Sequence, residues 1–97
     1  MKYKLFITRA ASKEADEGTV YYNTIDAKLA SRFRAEVLDT YEKLVVNPQL
    51  YSLVQNKISS QVRDVKLKSF PYVIIFEVKK ETVVILSVFN FRKKPKF

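Results

Sequence analysis

The sequence predicts an α+β fold with the element order β-α-α-β-β-β, in which a helical hairpin packs on one face of a mostly antiparallel sheet. Two observations support this prediction. The first half holds two stretches with apolar residues at helical spacing, and the last third holds two runs rich in Val, Ile and Phe, at 72–78 and 82–91. The length of 97 residues predicts a single domain, residues 1–97, with one core.

The beginning of the chain predicts a strand followed by a helix. Residues 3–8 alternate in the manner of a strand, and Thr8 is expected to cap a helix over 9–23. That helix has one face of small side chains and a tyrosine, at Ala11, Ala15, Gly18 and Tyr22. Gly18 costs a helix about 1 kcal/mol relative to alanine, so its place on this face predicts the close approach of another element.

A second helix is predicted over 26–46. Its apolar stripe consists of Leu29, Phe33, Val37, Tyr41, Leu44 and Val45. Asp26 is a suitable cap, and Asn47-Pro48 ends the helix because proline disfavours helical geometry in the residue before it. The short link at 23–25 predicts that the two helices form a hairpin across one face of the sheet.

Residues 62–68 predict a strand with one solvent-exposed, basic face. One side carries Arg63, Val65 and Leu67, and the other carries Asp64, Lys66 and Lys68. The segment 49–61 shows no clean period and supports no assignment.

The last two strands are apolar on both faces, which is typical of central strands covered on two sides. The connection Lys79-Lys80-Glu81 lacks Gly and Asn, so a turn longer than two residues is expected. Since the helices can cover only one face, the other apolar face predicts a protein partner.

Charge is distributed unevenly along the chain, whose net charge is +8. Residues 63–97 hold nine Lys and Arg against three Asp and Glu, whereas residues 1–62 hold nine against seven. This surplus indicates an acidic or polyanionic partner, and the alternative is a solubilising tail. Without cysteine, histidine, a Gly-rich phosphate loop or a membrane-length apolar run, we expect a cytoplasmic protein that needs no membrane, metal or cofactor.

Three segments carry a family resemblance. They are Tyr21-Tyr22 followed by residues 29–33 and Asn47-Pro48, the basic strand and Phe-Pro-Tyr start at 63–76, and the closing VFNFRKKP at 88–95. In this order and at this length they resemble the RelE/ParE superfamily of bacterial type II toxin–antitoxin toxins. The resemblance implies the fold above, growth inhibition, a role in plasmid stabilisation, and an acidic antitoxin wrapped around the toxin. A homodimer or a toxin–antitoxin hetero-oligomer is then expected.

Two activities occur in the superfamily. RelE-like toxins cleave mRNA on the ribosome without a metal, and ParE-like toxins poison DNA gyrase. The RelE-like catalytic set implies catalytic roles for Lys66, Lys68, Arg92 and Lys93. Other positions of that set carry Asp64, Val73 and Phe97, which replace a lysine, an arginine and a tyrosine. The ParE-like interpretation is therefore preferred, with the endoribonuclease as the alternative.

The residues expected to bind the cellular target are Arg63, Lys66, Lys68, Arg92, Lys93 and Lys94. A third hypothesis is a non-toxic nucleic-acid-binding module, in which these cations contact phosphates and Tyr72 or Phe91 stacks on bases. Tyr72 could instead belong to the core, and Arg63 could pair with Glu77 across strands.

Overall fold

The structure, a computed structural model, describes residues 2–48 and 62–92. Its elements are β1 (Lys4–Ile7), α1 (Arg9–Asn23), α2 (Ala27–Val46), β2 (Val62–Lys66), β3 (Tyr72–Lys79) and β4 (Thr82–Asn90). The strands form one sheet in the order β1-β4-β3-β2, in which β1 runs parallel to β4 and the other neighbours are antiparallel. The predicted α+β class, element order and mostly antiparallel sheet are confirmed.

Both helices begin at the predicted caps. The Thr8 hydroxyl oxygen accepts a hydrogen bond from the Ala11 amide at 3.2 Å, and the same hydroxyl donates to the Ile85 carbonyl at 2.8 Å. The Asp26 carboxylate accepts from the Lys28 amide at 2.9 Å. Thr8 therefore satisfies a free amide of α1 and also ties the start of that helix to the centre of the sheet.

The helices pack on one face of the sheet around a cluster of aromatic rings. Phe33 is fully buried at its centre, with ring centroids 4.8 Å from Tyr72 and 5.3 Å from both Tyr22 and Phe70. A Cβ atom at Gly18 would lie 2.9 Å from the Phe33 ring and 2.9 Å from the Tyr72 hydroxyl. The close approach predicted at Gly18 is confirmed.

A bulge interrupts the pairing of the two central strands, and α1 compensates for it. Ile75 pairs with Ser87, whereas the next residue of β3 pairs with Ile85. The Glu14 carboxylate of α1 accepts from the Ser87 hydroxyl and from the Val88 amide, both at 2.9 Å. A side chain of α1 therefore satisfies a backbone amide immediately beyond the bulge.

The turn between β3 and β4 corrects one prediction. Lys79 pairs with Thr82, so only Lys80 and Glu81 lie between the strands, where a longer turn was expected. Lys80 adopts a φ of 52°. Two-residue hairpin turns with positive φ match the right-handed twist of the strands, and this match outweighs the absence of Gly or Asn.

The end of β2 corrects a second prediction. The strand stops at Lys66 and does not continue to Lys68. The backbone amides of Lys68 and Ser69 instead donate to the Glu36 carboxylate of α2. The alternation of residues 62–68 could not predict where the strand ends, because the carboxylate that binds these two amides belongs to Glu36, on a helix far away in the sequence.

Tyr41 places a hydroxyl group in the core without a hydrogen-bond partner among the described residues. The residue is 5% exposed. Its burial and, next, the negative charge of Glu14 raise the pKa of Tyr41 to about 12. Since the unfolded value is about 10, ionisation of Tyr41 does not change the unfolding free energy below about pH 10. As the pH rises from 10 toward 12 the unfolded state ionises first, so the unfolding free energy falls.

We therefore predict that Tyr41→Phe raises the free energy of unfolding by about 1 kcal/mol near neutral pH, because an unsatisfied buried hydroxyl is removed. The variant is also expected to lose less stability than the wild type above pH 10. Urea unfolding at about pH 8 and about pH 11 measures both effects. The matched control is Tyr21→Phe at an exposed position. Equal alkaline losses in wild type and Tyr41→Phe would contradict the prediction.

Candidate target-binding surface

The sheet register sorts the predicted site residues between its two faces. Lys66 pairs with Val73, and Val73 pairs with Phe89, so these three side chains share the outer face, opposite the helices. Arg63 pairs with Phe76, which is fully buried beneath the helices. Arg63 is therefore directed to the inner face and is half-buried there. Lys66 therefore lies on the outer face of the sheet, and Arg63 lies on the inner face.

Lys66 is placed against an aromatic ring. Its Nζ lies 5.4 Å from the ring centroid of Phe91, within the range of a cation–π contact. Phe91 follows the last residue of β4, and its amide donates to the Pro71 carbonyl at 3.1 Å. Phe89 and Phe91 are 40% and 45% exposed. We call Lys66, Phe89 and Phe91 the Lys66–Phe91 surface.

The remaining predicted cations lie elsewhere or outside the described residues. Arg92 is exposed, and its amide donates to the Asn90 side chain at 2.9 Å. Burial raises the pKa of Tyr22, and the positive charge of Arg92 opposes that shift. Lys68 is exposed on the bend that follows β2. Lys93 and Lys94 lie outside the described residues, as does Phe97.

The neighbours of Lys66 bear on the ribonuclease hypothesis. Cleavage by attack of a 2′-hydroxyl needs cations around the phosphorane and an acid–base pair. The residue paired with Lys66 on β3 is Val73, which is buried, and Asp64 lies on the same outer face as Lys66. The neighbours of Lys66 on this face thus include an apolar side chain and a carboxylate, neither of which can stabilise the negative charge of a phosphorane.

The outer face also carries apolar side chains beyond the Lys66–Phe91 surface. Phe6 of β1 pairs with Val84 of β4 and is 59% exposed. Ile75, Val84 and Leu86 are half-buried, and within residues 2–48 and 62–92 no helix covers this face. The exposure of Phe6 was missed at the sequence level, because an alternating strand of four residues does not show which edge of the sheet it occupies.

A small cavity between α1 and the end of β4 was also not predicted. Its volume is about 160 Å³, and its lining includes Glu14, Glu17, Tyr72 and Asn90. Burial raises the pKa of Tyr72, and a hydrogen bond with the Asn90 side chain opposes that shift. Tyr72 is almost fully buried. Of its two predicted roles, the structure supports the core role over base stacking.

In the described part of the chain, no group of three or more His, Cys, Asp and Glu side chains is placed to hold a metal ion. The described helices include none with the length and apolar character needed to cross a bilayer.

The helical hairpin on one face of a β1-β4-β3-β2 sheet agrees with a family match over most of the chain, and the match places the protein in the RelE/ParE superfamily of toxins. A family model described as "ParE toxin of type II toxin-antitoxin system, parDE" matches residues 5–95. The chain belongs to the ParE toxin family.

A solved structure of the chromosomal ParDE TA system from P. aeruginosa has the same fold, with a TM-score of 0.76 and 19% sequence identity. The match covers 92% of this chain and 96% of that chain. No curated protein sequence gives a significant match to the chain.

Proposed function

We propose that this chain inhibits bacterial growth from the cytoplasm by acting on DNA gyrase, and that a cognate antitoxin neutralises it. The observation that carries the choice of target is the environment of Lys66. Beside it lie a buried valine, Val73, and a carboxylate, Asp64, where a ribonuclease of this superfamily needs cations. Membership in the ParE family supports the same choice.

Exposed apolar side chains and the net charge of +8 support an acidic, amphipathic antitoxin. Besides Phe6, the exposed apolar residues include Val20, Ile25, Leu38 and Val46 on and between the helices. A partner that buries these residues would gain about 25 cal/mol for each Å² of apolar surface removed from water. We propose that the chain functions as a toxin–antitoxin hetero-oligomer.

The test compares the two targets with the same preparation. The chain, released from its antitoxin, is added to a gyrase supercoiling reaction and to a translation extract that contains a defined mRNA. We expect supercoiling to stop, the mRNA to remain intact, and added antitoxin to restore supercoiling. If the mRNA were instead cleaved, and Lys66→Ala abolished that cleavage, the endoribonuclease alternative would replace the proposal.

A further inference from the structure

Two partly exposed phenylalanines lie at the end of β4. Phe89 lies on the outer face through its pairing with Val73, and Phe91, the residue after β4 ends, lies under the Lys66 ammonium of the same face. By contrast Phe33, Phe70 and Phe76 are buried in the core. The chain therefore buries these three rings and leaves Phe89 and Phe91 partly exposed on the face that carries Lys66.

Exposed aromatic rings next to a cation suit one class of ligand particularly well. Nucleic-acid bases stack on aromatic faces whatever their sequence, and a neighbouring cation neutralises a backbone phosphate. The Lys66 ammonium over the Phe91 ring places both functions within 5.4 Å of each other. The net charge of +8 attracts a polyanion to the chain.

We propose that the Lys66–Phe91 surface binds single-stranded nucleic acid without cleaving it. Phe89 and Phe91 stack on two bases, and Lys66 contacts a phosphate between or beside them. These contacts use bases and phosphates, which DNA and RNA share, so the two should bind equally well. Bases inside a duplex do not offer free faces, so duplex binding should be weaker. This binding goes beyond the proposed function and does not depend on which target the toxin inhibits.

Asp64 limits the path of the bound strand. Its carboxylate lies on the same face as Lys66, two residues along β2 toward the middle of the strand, beside Ile75. A phosphate near Asp64 would be repelled, so the bound nucleic acid must run past Phe91 and away from β2. Asp64→Asn removes this repulsion and is expected to tighten binding.

The test is fluorescence anisotropy of the full chain with labelled oligothymidylate and oligouridylate of about ten nucleotides. We expect both to bind, and binding to weaken as salt is raised. Phe91→Leu keeps an apolar side chain but removes the ring, and should weaken binding about tenfold, whereas Phe91→Trp should not. Lys66→Gln should reduce the slope of log affinity against log salt by about 0.7.

Matched controls lie elsewhere on the molecule. Phe6→Leu removes the exposed ring of β1, and Lys13→Gln removes an exposed cation of α1; both should leave binding unchanged. Circular dichroism verifies folding, and Phe89→Leu repeats the test at the second ring. The proposal is overturned if neither oligonucleotide binds, if duplex DNA binds more tightly, or if the control variants lose affinity equally. It is also overturned if Phe91→Leu weakens antitoxin binding and leaves oligonucleotide binding intact.

Discussion

Replacing Lys66 and Arg92 together by alanine is expected to abolish growth inhibition and restore colony formation to that of uninduced cells. Lys66 holds its ammonium over the Phe91 ring, and Arg92 is the residue that follows Phe91 in the chain. Both side chains are exposed, and exposed substitutions usually change stability by no more than about 0.5 kcal/mol. Lost toxicity would therefore report lost target contact, since folding should be retained.

Growth after induced expression measures this effect, and co-purification with the antitoxin is measured in parallel. Lys13→Ala with Lys28→Ala is the matched control, because it removes two exposed cations from the helices and leaves the Lys66–Phe91 surface unchanged. A second variant, with Arg92, Lys93 and Lys94 replaced by alanine, tests the basic end of the chain. Full toxicity of both variants would refute the assignment. Loss of antitoxin binding as well would assign these residues to the antitoxin interface.

Phe33→Ala is expected to cost about 3–5 kcal/mol of unfolding free energy, a large part of the total for a domain of this size. The Phe33 ring has no exposed surface and contacts three other aromatic rings. On the α1 side the ring faces Gly18, which has no side chain. No side-chain atoms of that residue can therefore move into the space that Phe33→Ala leaves. The cavity would remain partly open, which is the condition for a cost near the upper end.

Urea unfolding followed by circular dichroism measures this cost. Leu38→Ala, at an exposed position of the same helix, serves as the control and should change stability much less.

Gly18→Ala should destabilise the wild type, because its Cβ would meet the Phe33 ring at 2.9 Å, and should cost less in a Phe33→Leu background. A cost below about 1 kcal/mol for Phe33→Ala would show that the aromatic cluster is not central to stability.

The helices could be predicted from the sequence because their signals are local. The Thr8 and Asp26 caps and the apolar stripe through Phe33 lie within the helices or directly before them. The end of β2 could not be predicted, since the Glu36 carboxylate that binds the Lys68 amide is 32 residues away along the chain. The pairing of β1 with β4 also depends on distant residues, and alternation within a strand does not name its neighbour.

The candidate site was predictable only in part for the same reason. Alternation along β2 placed Lys66 on the face opposite Val65, and the structure agrees. The same alternation placed Arg63 on the opposite face. Arg63 was still predicted to contact the target together with Lys66, because that prediction considered only its positive charge. The position of Phe91 under the Lys66 ammonium arises from two strands that do not pair with each other, with β3 between them.

The sheet order has a consequence for the timing of synthesis. Thr8 and Ile85 are hydrogen-bonded across 77 residues, and β4, made last of the four strands, lies between β1 and β3. Contacts this distant slow folding, and until β4 has left the ribosome β1 has no strand beside it. A nascent or truncated chain is thus expected to be harmless, because Phe89, Phe91 and the sheet that presents Lys66 do not yet exist. Under the proposed function, inhibition can therefore begin only after β4 has been translated, and a message that stops before β4 yields no active toxin.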